Sequence, residues 1–169
     1  LMSSRIFKGL SLASLAFVLA ACSSVPLDES ASGAGTGTGG MTDPSTGAIM
    51  DPFNPQSPLA QQRSVYFDFD SYVVADQYRN VVEMHSNYLR NQPQQTIRVE
   101  GHADARGGAE YNLALGQRRS EAVARMMTLM GVNAGQIEAI SFGKERPKAL
   151  GNTEADYAEN RRADINYQR

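Results

Sequence analysis

The chain has 169 residues, 41% of them hydrophobic and 20% charged, which suits one ordinary globular domain with chain to spare. Its 16 basic and 18 acidic side chains leave a net charge of −2, so no whole-chain basic field exists to draw nucleic acid. One cysteine excludes an intramolecular disulfide framework, no Cys/His cluster suggests structural zinc, and 8% aromatics without Trp speak against a large carbohydrate-stacking surface.

The N-terminal stretch reads as an export signal. Arg5 and Lys8 precede an uncharged apolar run from Leu10 to Ala21, which is too short for the about 20 apolar residues of a membrane-spanning helix. The run ends Leu19-Ala20-Ala21-Cys22, which resembles a bacterial lipobox and holds the only cysteine of the chain. That resemblance implies cleavage after residue 21 and lipidation of Cys22. Two or more acyl chains anchor a protein stably where one does so only marginally. Ser23 stands where an Asp would signal inner-membrane retention, so the resemblance implies the outer membrane, with the domain facing the periplasm.

Residues 22–62 are expected to form the lipidated cysteine and a flexible Gly/Ser/Pro-rich linker. Between Ser23 and Gln62 lie six glycines, five of the seven prolines and one aromatic, Phe53. Such a composition buries too little apolar surface to offset its ordering entropy. Its coil-like span would be about 35 Å, with roughly 130 Å at full extension.

Residues 63–169 are the expected working domain, with basic and acidic side chains in balance. Val65 to Asp70 reads as a strand, and Val74 to Asn91 carries a helical apolar stripe ended by Pro93. Thr96 to Glu100 alternates as a second strand, closed by Gly101. Tyr111 to Met130 is a second helix stopped by Gly131, and Ile137 to Phe142 a third strand. A short helix over Thr153 to Glu159, capped by Thr153 with Asp156 in its first turn, leads to a fourth strand at Ala163 to Tyr167. The order β-α-β-α-β-(α)-β implies a two-layer α/β sandwich: a mixed four-stranded sheet with helices packed on one face. Right-handed crossovers would set the ends of strands one and two side by side, so the loops after Asp70 and Gly101 should share a rim.

One charge is out of place. Arg119 lies four residues from both Leu115 and Val123 and so falls within the apolar stripe of the second helix, while Arg118 lies on its flank. A charge there costs several kcal/mol unless it is paired or placed at an open end of the core. Its candidate partner is Asp104, in the loop His102-Ala103-Asp104-Ala105-Arg106-Gly107-Gly108. Two readings stay open: a structural ion pair, or two charges held apart that together receive a ligand bearing an ammonium and a carboxylate. His85 and His102 are too separated for a metal site, and His102 is expected to make a loop hydrogen bond. Asp68 and Asp70, two apart on one strand, cannot flank a sugar bond from opposite sides, and Asp68 is expected to cap loop amides. Gly107-Gly108 lacks the context of a phosphate loop. Arg161 and Arg162 are expected to satisfy loop carbonyls, with Arg161 able to reach the ligand rim. No catalytic residue, metal or cofactor is expected.

The block Glu100-Gly101-His102-Ala103-Asp104, with Tyr111-Asn112, Leu115-Gly116, Arg118-Arg119 and Asn160-Arg161-Arg162, resembles the OmpA C-terminal-like, peptidoglycan-binding family. The likeness covers residues 64 to 168. Tyr66-Phe67-Asp68-Phe69-Asp70, Gly143-Lys144-Glu145-Arg146-Pro147 and Gly151-x-x-Glu154-x-x-Tyr157 resemble its lipid-anchored members in particular. The resemblance implies an OmpA-like fold and non-covalent binding of peptidoglycan. Positions matching Asp104 and Arg119 would hold the free amino-acid end of meso-diaminopimelate in the stem peptide. Phe69 and Asp70 would form the adjoining wall, and Arg106, Asn112 and Leu115 match other contact positions. Ala105 and Gly108 depart from the usual acidic residue and hydroxyl or Pro but leave both charged anchors. The resemblance further implies the Tol system, with TolB as partner, TolA and OmpA as further ones, and a part in outer-membrane integrity and invagination at division. The alternatives are a generic OmpA-like lipoprotein outside that system, or a periplasmic cell-wall hydrolase, for which the chain offers no nucleophile, metal site or acid–base pair.

Overall fold

The computed structural model of the chain describes residues 50–169. The expected signal, Cys22 and the tether as far as residue 49 lie outside the described residues. In chain order the elements are α1 (Pro58–Gln61), β1 (Ser64–Tyr66), a 3-10 turn (Asp76–Tyr78), α2 (Arg79–Asn91), β2 (Ile97–His102), α3 (Ala109–Leu129), a second 3-10 turn (Ala134–Gln136), β3 (Ile137–Gly143), α4 (Glu154–Asn160) and β4 (Arg162–Tyr167).

The strands pair in the order β1-β4-β2-β3, with β4 antiparallel to both neighbours and β2 parallel to β3. Strand alternation sends Val65, Val99, Ala163 and Ile165 to the side covered by Val82 and Leu89 of α2 and Val123 and Met127 of α3, and these form one fully buried core. Arg98 and Glu138 lie on the opposite side, paired at 2.9 Å in solvent. The expected sandwich is therefore the observed one.

The ends of strands one and two are not side by side as expected, because β4 lies between them. Both are antiparallel to β4, so they run parallel to each other and their ends still share one rim. The first strand is also shorter than expected. After Phe67, whose N–H donates to the Arg161 carbonyl at 2.8 Å, the chain leaves the sheet, and Asp70 adopts a left-handed φ of 52°. The helix expected from Val74 opens instead with the 3-10 turn. Thr153 caps α4 through a reciprocal capping box with Asp156, in agreement with its spacing.

The linker boundary at residue 62 is corrected by the structure. Residues 51–62 pack on the domain: Leu59 and Ser57 are fully buried, and Phe53 sits edge-on to Tyr167 at 6.3 Å. Arg63 Nε donates to the Leu59 carbonyl at 3.2 Å. His85 in α2 donates from Nε2 to the Gln62 carbonyl at 2.7 Å, which leaves Nδ1 to accept from the Tyr167 hydroxyl at 2.8 Å. Burial lowers the His85 pKa to about 4, so it is neutral in the core. The glycines at 33–47 dominated the composition of the whole segment, whereas its last dozen residues carry their own apolar anchors.

One contact places the site. A Cβ on Gly101 would come 1.8 Å from the Gly116 carbonyl oxygen, and one on Gly116 would come 2.3 Å from Ser141 Oγ. Only glycines allow β2 and α3 to approach so closely, and this brings the loop after β2 against the first turns of α3.

Candidate functional site

At the shared rim lies a cleft of about 250 Å³. Phe69, Asp70, Asp104, Arg106, Asn112, Leu115 and Arg119, all seven of the ligand-site candidates, line it, together with Gly107 and Tyr111. Three segments supply them: the chain leaving β1, the loop after β2 and the N-terminal half of α3.

Arg119 has no exposed surface and forms part of the floor. Its Nε donates to the Ser71 carbonyl at 2.8 Å, Nη1 to His102 O at 2.8 Å and Nη2 to Asp68 O at 3.2 Å. The guanidinium thus ties the loop after β1 to the end of β2. Burial, followed by the charge of Arg161, lowers its pKa to about 10, so it stays cationic at neutral pH. Arg118 is exposed beside the Tyr72 ring, as its flank position suggested.

Among the described residues no ion pair joins Arg119 to Asp104, so the structural-pair reading fails. The two charges are held apart, but neither stands bare. Asp104, 5% exposed, takes hydrogen bonds from the Arg106 side chain (Nη2 to Oδ2, 2.7 Å; Nε to Oδ1, 3.1 Å), from the Arg106 backbone N–H (3.1 Å) and from Arg161 Nη1 (3.4 Å). Burial pushes its carboxyl up, but these bonds and the Arg106 charge outweigh burial and hold it below the ordinary carboxylate range.

Arg106 itself lies between two rings, 4.4 Å from the centroid of Phe69 and 4.3 Å from that of Tyr157, with Nη1 on Glu154 at 3.1 Å. Arg161 donates from Nε to the Phe67 carbonyl and from Nη1 to Glu154 at 2.8 Å. It therefore satisfies a loop carbonyl and also reaches the acid. Asn112 Nδ2 donates to Arg106 O at 2.7 Å and fixes the loop to α3. The left-handed turn at Asp70 brings its carboxylate to the Tyr111 hydroxyl, which donates to it.

Two expectations about neighbours do not hold. Among the described residues both ring nitrogens of His102 lack a hydrogen-bond partner; the ring stacks on Phe142 and lies 3.6 Å from Asp164 Oδ2. Burial, then the charge of Arg162, lowers its pKa to about 4. It is the His102 carbonyl, not its ring, that accepts a hydrogen bond, from Arg119 Nη1 of α3. Likewise the Asp68 carbonyl, rather than its carboxylate, accepts from Ser71 N–H and from Arg119. Sequence reasoning assigned no role to Tyr111, Glu154 or Tyr157. Glu154 and Tyr157, three apart, share one face of α4 and aim at Arg106.

The OmpA family profile matches residues 66–161. The peptidoglycan-associated lipoprotein of Pasteurella multocida is 37% identical over 163 residues, covering 96% of this chain and 99% of that protein. That of Haemophilus influenzae is 38% identical, with the same coverage. Among solved structures, the peptidoglycan-associated lipoprotein from Burkholderia pseudomallei superposes with a TM-score of 0.67 at 56% identity, covering 69% of this chain and 98% of that one. The C-terminal domain of Helicobacter pylori MotB, at 19% identity and a TM-score of 0.58, covers 63% of this chain and 84% of its own and shares the fold.

Proposed function

The chain belongs to the OmpA family, among its peptidoglycan-associated lipoproteins, and from that premise we propose that its domain grips the cell wall without turnover by holding the zwitterionic end of meso-diaminopimelate in the cleft. The observation that carries this reading is that Arg119 and Asp104 line one cleft without pairing to each other. An ammonium is drawn to Asp104. A carboxylate is drawn to Arg119, where three bonds to carbonyls leave one hydrogen on each terminal nitrogen. A volume of about 250 Å³ is smaller than the roughly 300–1,000 Å³ of pockets for drug-sized molecules and suits the head of one amino acid. Phe69, Asp70, Asn112 and Leu115 supply the wall around it.

The rest of the chain serves as an anchor in this proposal. Residues 1–21 direct export and are removed, Cys22 carries the lipid, and the segment from 23 to about 50 spans from the outer membrane to the wall. The Pasteurella alignment leaves only 4% of the chain outside it, so the segment around Cys22 falls within its match to a lipoprotein. Among the described residues no helix is long and apolar enough to cross a membrane. Membership of the Tol system, with TolB competing with the wall and TolA and OmpA as further partners, completes the proposal and rests on the motif resemblance at both ends of the domain.

Co-sedimentation with purified diaminopimelate-containing sacculi tests the reading. The protein should pellet with them, should lose this on Asp104→Asn, and should release no muropeptide on prolonged incubation. Undiminished pelleting of Asp104→Asn would overturn the assignment of the site, and a released fragment would overturn the binder reading.

A further inference from the structure

A carboxylate offers about four lone-pair positions, and those of Asp104 are all taken. Oδ1 accepts from the backbone N–H and Nε of Arg106, and Oδ2 from Arg106 Nη2 and Arg161 Nη1. No ammonium can be accepted there until a donor leaves. The backbone N–H is fixed by the loop. Arg161, with 9% of its side chain exposed, is held by Phe67 O and Glu154. The Arg106 side chain is 37% exposed and has other partners besides the acid: its Nη1 already rests on Glu154, and its guanidinium lies against the Phe69 and Tyr157 rings.

We propose that the Arg106 guanidinium is a resident substitute for the ligand's ammonium, so that binding exchanges one cation for another on Asp104 and Arg106 thereby sets specificity for a ligand that brings its own positive charge. This rests on the zwitterion reading of the cleft. In the free protein the exchange partner keeps a nearly buried carboxylate from standing alone, which would cost more than the pair does. On binding, Arg106 retains Glu154 and both rings, so the displacement costs only its part-exposed contacts with Asp104. A ligand with carboxylates alone cannot displace Arg106 and instead benefits from its charge.

The two ligand types therefore predict opposite signs for one substitution. Calorimetric titration of the purified protein with meso-diaminopimelate and with pimelate, its counterpart lacking both ammonium groups, reads them. Arg106→Ala should bind meso-diaminopimelate about two- to fivefold more tightly than the wild type, the order expected for a part-exposed charged pair. It should bind pimelate more weakly. Arg106→Gln, which keeps length and polarity, should show the same signs and serves if the alanine variant unfolds. Weaker binding of meso-diaminopimelate by either folded variant would make Arg106 an ordinary ligand contact and overturn the inference, as would equal shifts for both ligands. A wild type that binds neither meso-diaminopimelate nor sacculi would overturn the zwitterion reading itself.

Discussion

Replacing Arg119 with alanine removes three charge-assisted hydrogen bonds to the carbonyls of Ser71, His102 and Asp68. Each such bond contributes about 1.5–3 kcal/mol, roughly 5–9 kcal/mol together. Against this stands the cost of burying the cation. A guanidinium whose pKa burial lowers to about 10 is penalised by roughly 3 kcal/mol at 1.36 kcal/mol per pKa unit, and that cost disappears with the side chain. The net loss is about 2–6 kcal/mol, below most of the typical range of about 5–15 kcal/mol for a domain. Arg119→Ala should stay folded but unfold at clearly lower urea, with unchanged slope, and the amides of residues 68–71 should exchange faster. Arg119→Lys, with one compact ammonium in place of a fork, should recover less than half of the loss. A stability change below about 1 kcal/mol would refute the view that Arg119 ties the loop after β1 to β2. Unaltered pelleting of the folded alanine variant with sacculi would refute its part in binding.

Three further outcomes are expected. His85 and His102 titrate near 4 in the fold but near 6.5 when unfolded, so between those values the unfolded chain binds protons that the folded chain does not. Stability should be full above about pH 6.5 and fall as the pH drops to 4, by up to about 3 kcal/mol per histidine; urea midpoints that stay flat across that window would contradict it. Gly101→Ala drives a Cβ to 1.8 Å from the Gly116 carbonyl oxygen, so thermal unfolding should shift down by several degrees or more, and an unshifted melt would show that β2 and α3 can separate freely. Leu59→Ala should cost about 2–5 kcal/mol in chemical denaturation if residues 51–62 belong to the core, and nothing measurable if they are linker.

The features legible in the sequence are those that local chemistry decides. The Thr153 cap, the stop at Gly131 and the alternation from Ile97 to Val99 lie where their spacing put them, because caps, turns and periodicity act within a few residues. Arg119 was conspicuous for the same reason, as a charge on an apolar stripe. Strand order was not legible: β4 enters between β1 and β2 through pairings such as Ser64 with Asp164, which no local pattern encodes. The arm at 51–62 was obscured by its glycine-rich neighbours. The saturation of Asp104 depends on Arg161, 57 positions away, and on α4 delivering Glu154 and Tyr157 to Arg106. The spacing singled out two opposite charges; only their surroundings show that each is already occupied, Arg119 by carbonyls and Asp104 by other arginines.

The most direct measurement is a structure of the protein with meso-diaminopimelate bound. The account predicts one ammonium of the ligand within hydrogen-bond reach of Asp104, the adjacent carboxylate on Arg119, and the Arg106 guanidinium moved onto Glu154. A ligand seated away from the rim cleft, or held there with its carboxylate turned from Arg119, would contradict it.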